Sequence, residues 1–146
     1  MKIKITKLHK NAILPEYQTV GAAGADIHAC LETPVTLGPM ERRMIPTGVA
    51  MEIPEGYEVQ IRARSGMSIK HGITMVNGIG TIDCDYRGEL GVLLINLSEE
   101  PFTIEPGMRI AQMVVAKYER VEWREVDQLG ETERGGGGYG STGHTV

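Results

Sequence analysis

Near the C-terminus, Arg134 precedes Gly135–Gly138, followed by Tyr139, Gly140, Ser141, Thr142 and Gly143. Glycine has no Cβ, so successive backbone N–H groups can turn inward and wrap an anion. Arg134 adds a planar guanidinium suited to phosphate oxygens, and Ser141 and Thr142 add hydroxyl donors. Tyr139 places an aromatic face in a polar stretch that offers it no core. Together these groups describe a lid over a nucleotide triphosphate. The spacing approaches a P-loop, but Ser141 stands where the lysine belongs and no helical pattern follows, which excludes a P-loop NTPase. Taken alone, a glycine-rich tail is more often linker than lid.

Four further stretches carry groups of the same chemical kind. Asn77-Gly78 is a hairpin-turn signal, and the run from Gly80 through Thr81, Ile82 and Asp83 to Tyr86 reads as a hairpin loop entering a strand. Its backbone can read the edge of a base, Asp83 can act as general base toward a water, and Tyr86 supplies a flat face. The alternative is that Asp83 and Asp85 are turn residues and that Arg87 and Glu89 are surface charges. Arg64-Ser65-Gly66 follows a strand pattern and opens a short helix, which suits a phosphate at its N-terminus or a plain serine cap. Asp26 ends the small-residue run Gly21–Ala25, where it can face a metal or serve a turn. Gln112 sits inside the apolar run Ile110–Ala116, and a buried glutamine needs partners, a phosphate among them.

The elements that must position these groups are strands. Period-two patterning runs through Lys2–Leu8 and Tyr57–Ala63, and Gly91–Asn96 and Ile110–Ala116 are short apolar runs. Turn signals at Pro39, Pro46, Pro54-Glu55-Gly56, Pro101 and Pro106-Gly107 separate them. The pattern predicts an all-β sandwich or small barrel of the jelly-roll kind, with one or two turns of helix at Ser65–Lys70. At 146 residues the chain makes one domain, 1–129, followed by a flexible glycine-rich lid, 130–146, which holds seven of the 19 glycines. The net charge of −4 provides no field for a nucleic-acid backbone, so a polyanionic ligand must be met by local arginines, N–H groups or a metal. Two distant cysteines, Cys30 and Cys84, read as free thiols in a reducing compartment. No apolar run has the length of a membrane span, and the first residues lack a signal-peptide core, so the expected home is the cytoplasm.

The order of the five stretches resembles the five ordered motifs of the trimeric dUTPases, from Ala22 to Gly143. The third and fifth are the specific ones. The resemblance implies a β jelly roll and a homotrimer with active sites shared between chains. It implies magnesium as cofactor and dUTP as substrate, cleaved to dUMP and pyrophosphate at the α-phosphate. By the same resemblance Asp83 activates the water, Tyr86 packs under the deoxyribose and leaves no room for a 2′-hydroxyl, and Asn77 with Gly80, Thr81 and Ile82 reads uracil. Arg64, Ser65, Gly66 and Gln112 meet the phosphates, and Asp26 meets magnesium through water. Arg134, Gly140, Ser141 and Thr142 form the phosphate lid, with Tyr139 stacked on uracil where the family usually has phenylalanine. Ser68 replaces a usual small apolar residue, and four consecutive glycines replace a mixed run, which makes ordering of the tail more costly. The alternatives are a dCTP deaminase-type enzyme on the same fold, from which Arg64-Ser65-Gly66 and Lys70 point away, and a non-catalytic nucleotide-binding regulator, which need not keep Asp83.

Overall fold

Alternating residues settle onto two faces in the central strands. In β6 (Tyr57–Arg62), Val59 and Ile61 are buried; in β9 (Gly91–Asn96), Val92, Leu94 and Asn96 are buried and the residues between them only partly so. The computed structural model describes residues 1–143. Residues 144–146, the end of the expected lid, lie outside the described residues.

The remaining strands are β1 (Lys4–Lys7), β2 (Ala25–His28), β3 (Val35–Leu37), β4 (Arg42–Pro46), β5 (Val49–Glu52), β7 (Ile73–Met75), β8 (Gly80–Ile82), β10 (Phe102–Ile104) and β11 (Arg109–Lys117). All of their pairings are antiparallel. Two principal sheets, ordered β2-β11-β6-β8 and β4-β9-β7, are accompanied by the two-stranded pairs β1-β5 and β10-β3. This is a jelly-roll-like β-sandwich, and its core includes Ile27, Leu37, Ile45, Val59, Ile61 and Leu94. After Lys117 no described residue lies in a strand or helix. Among the described residues no helix is long and apolar enough to cross a membrane. Both cysteines are free.

Among the described residues one helix interrupts the strands, α1 (Ser65–His71). Arg64, not Ser65, takes the cap position, and no side chain caps the helix. Ser65 is therefore the first helical residue and its hydroxyl is left to solvent. Buried Met67 anchors the helix, and Gly72 closes it in the left-handed conformation at φ 65°. Ser68 has a task its substitution pattern did not reveal: its hydroxyl donates to Arg64 O (3.2 Å) or to Ile73 O (3.1 Å), tying both ends of the helix.

The Asn77-Gly78 turn forms, with Gly78 N–H donating to Met75 O at 3.2 Å and Gly78 at φ 71°. It is not a hairpin. β7 pairs with β9 and β8 pairs with β6, so the turn carries the chain from one sheet to the other. The dipeptide favours the local turn geometry; which strands flank it is decided by the apolar faces each must bury.

Asn96 shows how polar burial holds the sandwich together. It is fully buried, its amide nitrogen donates to Leu37 O (3.0 Å) and Glu100 O (2.8 Å), and its oxygen accepts from Ser98 N–H (2.9 Å). Replacing it by alanine strands the buried Leu37 carbonyl, and a buried carbonyl left unmet costs about 1–3 kcal/mol. Asn96→Ala is expected to lower stability by roughly 1–3 kcal/mol on that basis. A fall in the urea midpoint at unchanged slope would show this; an unchanged midpoint would mean that water replaces the amide.

Candidate active site

Three polar clusters form, and one chain does not bring them together. The first is a cleft of about 310 Å³ whose lining includes Asn77, Gly80, Thr81, Ile82, Asp83 and Tyr86. β8 supplies its wall: Gly80 lies opposite Ile61 and Thr81 opposite Gln60 on β6. The absent Cβ matters at Gly80, where one would stand 3.3 Å from Ile61 Cβ and 3.4 Å from the Asn77 amide nitrogen. Asp83 follows the last residue of β8 and is exposed at the cleft. A turn then forms, with Tyr86 N–H donating to Asp83 O (3.2 Å), and the Arg87 guanidinium donates back to Cys84 O (2.6 Å) and Tyr86 O (3.0 Å). Arg87, open in the sequence to a surface reading, thus braces the loop.

The second cluster is a patch around Asp26 on the β2-β11-β6 side of the molecule. The Asp26 side chain is only 10% exposed and accepts from Arg64 Nε at 3.2 Å and from an Arg109 guanidinium nitrogen at 3.1 Å. Arg64 also donates to Arg109 O at 3.2 Å. A bulge makes this possible. Arg109 pairs with His28 and Ala111 with Ile27, so Ile110 is the extra residue. Without it Arg109 and Gln112, three residues apart, would point to opposite faces; with it both share the face of His28 and Asp26. Gln112 is half-buried, its amide donating to Ala63 O at 3.0 Å, and it fills the space that Gly24 leaves open. The partner that a buried glutamine requires is thus supplied by the chain itself. Ser65 and Gly66 lie exposed beyond Arg64.

Two members of this patch carried no signal that set them apart in the sequence. Arg109 stands just before the apolar run Ile110–Ala116, and its pairing with Asp26 depends on the bulge. His28 is buried, with no partner for Nδ1. Burial holds its imidazole below the ordinary value, with Asp26 and Glu16 raising it and Arg109 and Arg64 lowering it.

The third cluster is the tail. Arg134, Tyr139, Gly140, Ser141 and Thr142 are all exposed. Arg134 Nε donates to Gly137 O at 2.8 Å, and successive turns bring Gly137 N–H to Arg134 O, Ser141 N–H to Gly138 O and Gly143 N–H to Gly140 O. Tyr139 adopts a positive φ of 51° and packs against nothing. Among the described residues, no hydrogen bond joins positions 134–143 to the cleft or to the Asp26 patch.

The fold and these clusters define a jelly-roll protein with an aspartate-bearing cleft, an arginine patch and a glycine-rich arm. The dUTPase family model matches residues 10–143. The chain is 54% identical over 144 residues to the deoxyuridine 5′-triphosphate nucleotidohydrolase of Finegoldia magna, covering 99% of this chain and 100% of that protein. It is 57% identical over 138 residues to the enzyme of the same name from Treponema denticola, covering 94% and 96%. Among solved structures it resembles the dUTPase of Staphylococcus bacteriophage 80alpha with dUPNHPP, at TM-score 0.90 and 32% identity over 98% of this chain and 99% of that one. A mutant dUTPase of S. aureus phage phi11, described with a coordinated structural Mg(II) ion, matches at TM-score 0.81 and 27% identity over 90% of this chain and 100% of that one. The chain belongs to the dUTPase family.

Asp26 is the only counter-charge within ion-pair reach of Arg64 and Arg109 among the described residues. Removing it leaves two guanidinium groups facing each other across a partly buried gap. Asp26→Ala is expected to cost about 2 kcal/mol, below the range for fully buried pairs because both arginines reach solvent. Chemical unfolding of the variant beside the unaltered chain measures it; equal stability would reduce the clamp to a surface contact.

Proposed function

We propose that this chain hydrolyses dUTP to dUMP and pyrophosphate, with Asp83 as the base. The observation that carries the reading is the cleft: a free, exposed carboxylate at Asp83 stands in the same lining as Asn77, the Gly80–Ile82 edge and the Tyr86 ring. The Asp83 carboxylate takes a proton from water as the water oxygen attacks the α-phosphorus, and the bond to the bridging oxygen breaks to release pyrophosphate. The edge of β8 and Asn77 offer N–H and C=O groups to uracil. Cytosine reverses the donor and acceptor pattern at one edge, and the thymine methyl presses on backbone. The Tyr86 ring lies under the sugar.

Arg64, Ser65, Gly66 and Gln112 receive the phosphates in this reading. Asp26 fits magnesium through water and not directly: its oxygens are engaged by two arginines, and among the described residues no three His, Cys, Asp or Glu side chains stand together to hold an ion. A magnesium ion carried on the phosphate oxygens would supply charge neutralisation that a chain of net charge −4 lacks. Arg64 keeps its other terminal guanidinium nitrogen to turn toward phosphate while Asp26 holds Nε and Arg109 O accepts from the first.

The active unit is a homotrimer in which each site combines groups from different chains. Its support lies in the separation of the clusters: the arm at 130–143 is exposed, hydrogen-bonds only to itself and leaves Tyr139 without a surface. Residues 1–129 then form the body and 130–146 the lid.

Asp83→Asn is expected to lower kcat by roughly 10²–10⁴-fold while dUTP still binds, because the amide is nearly isosteric but cannot accept the proton. Calorimetry with dUTP and magnesium, beside a pyrophosphate assay, separates binding from turnover; near-normal turnover removes Asp83 from the role of base.

Co-expression tests the shared site. One chain carries Asp83→Asn with its tail, the other keeps Asp83 but lacks positions 131–146. Random assortment at equal expression makes about one quarter of all sites competent, because two independent halves multiply across a cyclic interface. Native mass spectrometry establishes that mixed trimers exist; mixed trimers without activity would mean that each site uses its own chain's tail.

A further inference from the structure

Tyr86 is held in a way that packing does not explain. It is 46% exposed, so no closed core fixes its ring. What holds it is polar and local. The hydroxyl donates to Glu89 O at 2.9 Å. The ring folds back over Gly88, where a Cβ would overlap the hydroxyl and stand 2.6 Å from Cζ. The orientation of the ring therefore depends on where the Glu89 carbonyl sits.

That carbonyl is fixed from outside the loop. The Glu89 carboxylate accepts from the Gly48 N–H at 2.8 Å. Gly48 stands at φ 70°, and a Cβ there would meet Cys30 Sγ at 2.7 Å and Ala12 Cβ at 2.8 Å, so only glycine turns this N–H toward Glu89. The next residue is bolted to the same turn. The fully buried Thr47 donates to Leu90 O from its hydroxyl (2.7 Å) and from its N–H (3.2 Å), and Leu90 N–H donates to Val49 O (2.9 Å). Thr47 and Gly48, between β4 and β5, and Val49, the first residue of β5, belong to none of the five motif stretches.

We infer that Glu89 is a positioning residue: anchored on Gly48, it sets the Tyr86 ring that excludes a 2′-hydroxyl, so discrimination between deoxyribose and ribose is set by the Thr47-Gly48 turn as much as by the tyrosine. The inference rests on the reading of Tyr86 given above. An exposed aromatic ring with its hydroxyl released samples other rotamers, and each of these opens the space that a 2′-hydroxyl needs. Glu89 itself touches no reacting atom in this account.

The test is the ratio of kcat/KM for dUTP to that for UTP, measured on the full chain. Tyr86→Phe removes the tether at the ring end and Glu89→Ala removes it at the carboxylate end. Each is expected to lower the ratio about fivefold, the worth of one net hydrogen bond. Glu89→Gln keeps the accepting oxygen and is expected to hold the ratio within about twofold of the unaltered chain on the same scale. Tyr86→Ala removes the ring and is expected to lower the ratio by roughly 10- to 100-fold, the range that one buried group supplies in a pocket. A general loss of fold would lower both substrates together and leave the ratio unmoved, so a moved ratio reports positioning. Should Glu89→Ala fail to fold, Tyr86→Phe carries the test alone, since it alters only an exposed hydroxyl. A relaxed ratio in Tyr86→Ala with unchanged ratios in Tyr86→Phe and Glu89→Ala overturns the inference and spares the reading of the site. No dUTP turnover by the unaltered chain, or an unchanged ratio in Tyr86→Ala, overturns that reading and the inference with it.

Discussion

β11 pairs with β2 on one edge and with β6 on the other, and both functional regions of the body hang from that arrangement. Through β2 it sets Gln112 opposite Asp26; through β6 it fixes the strand whose far edge carries β8 and the cleft. The single extra residue, Ile110, does two things at once. It allows Ile110 and Ala111 both to be buried, and it turns Arg109 onto the face of Asp26. A strict alternation through this strand would satisfy the core or the patch but not both. The bulge is the point at which packing and chemistry are reconciled.

The electrostatics follow from that geometry. An acidic chain intended for a polyanion has to concentrate its positive charge, and guanidinium groups held close together repel. Asp26 resolves this by standing between Arg64 and Arg109, buried enough that water does not compete strongly for its oxygens. The arginines are thereby oriented in the free chain, and in the proposed reading this lowers the ordering cost of binding phosphate. The same logic governs the other cluster, where Arg87 pins the turn after Asp83 onto its own carbonyls and the Thr47-Gly48 turn pins Glu89 and Leu90. Rigid backbone supports exposed side chains in both places. The arm is the opposite case: four consecutive glycines carry no side chains to hold it in place, so the closure proposed for it would draw its free energy from a ligand or a neighbouring chain.

Much of the fold was legible because a strand's period survives without knowledge of its partner. Tyr57–Arg62 became a strand with the buried face that its alternation requires, the apolar run Gly91–Asn96 became a second strand, and the helix expected at Ser65–Lys70 formed over Ser65–His71, the one helix among the described residues. The candidate site residues were legible only through the order of five stretches, since each stretch alone also fits a linker, a turn or a serine cap. Asn77-Gly78 marks the limit. The expected turn formed, with Gly78 in the left-handed region, yet it joins two sheets and closes no hairpin.

The sequence by itself determined the strand periodicity, the separation of an apolar body from a glycine-rich arm, and the chemical inventory of the site. These depend on residues within a few positions of one another, where backbone geometry and side-chain chemistry act directly. Only the tertiary structure decided that Arg109 pairs with Asp26, that Gln112 is satisfied by Ala63, that His28 is buried beside them and that Gly48 anchors Glu89. Each of these joins residues distant in the chain, through a register, a bulge or a left-handed turn set by burial of the core. Local sequence carries no record of which strand will lie alongside, because the free energy that selects the partner belongs to the packed sandwich as a whole.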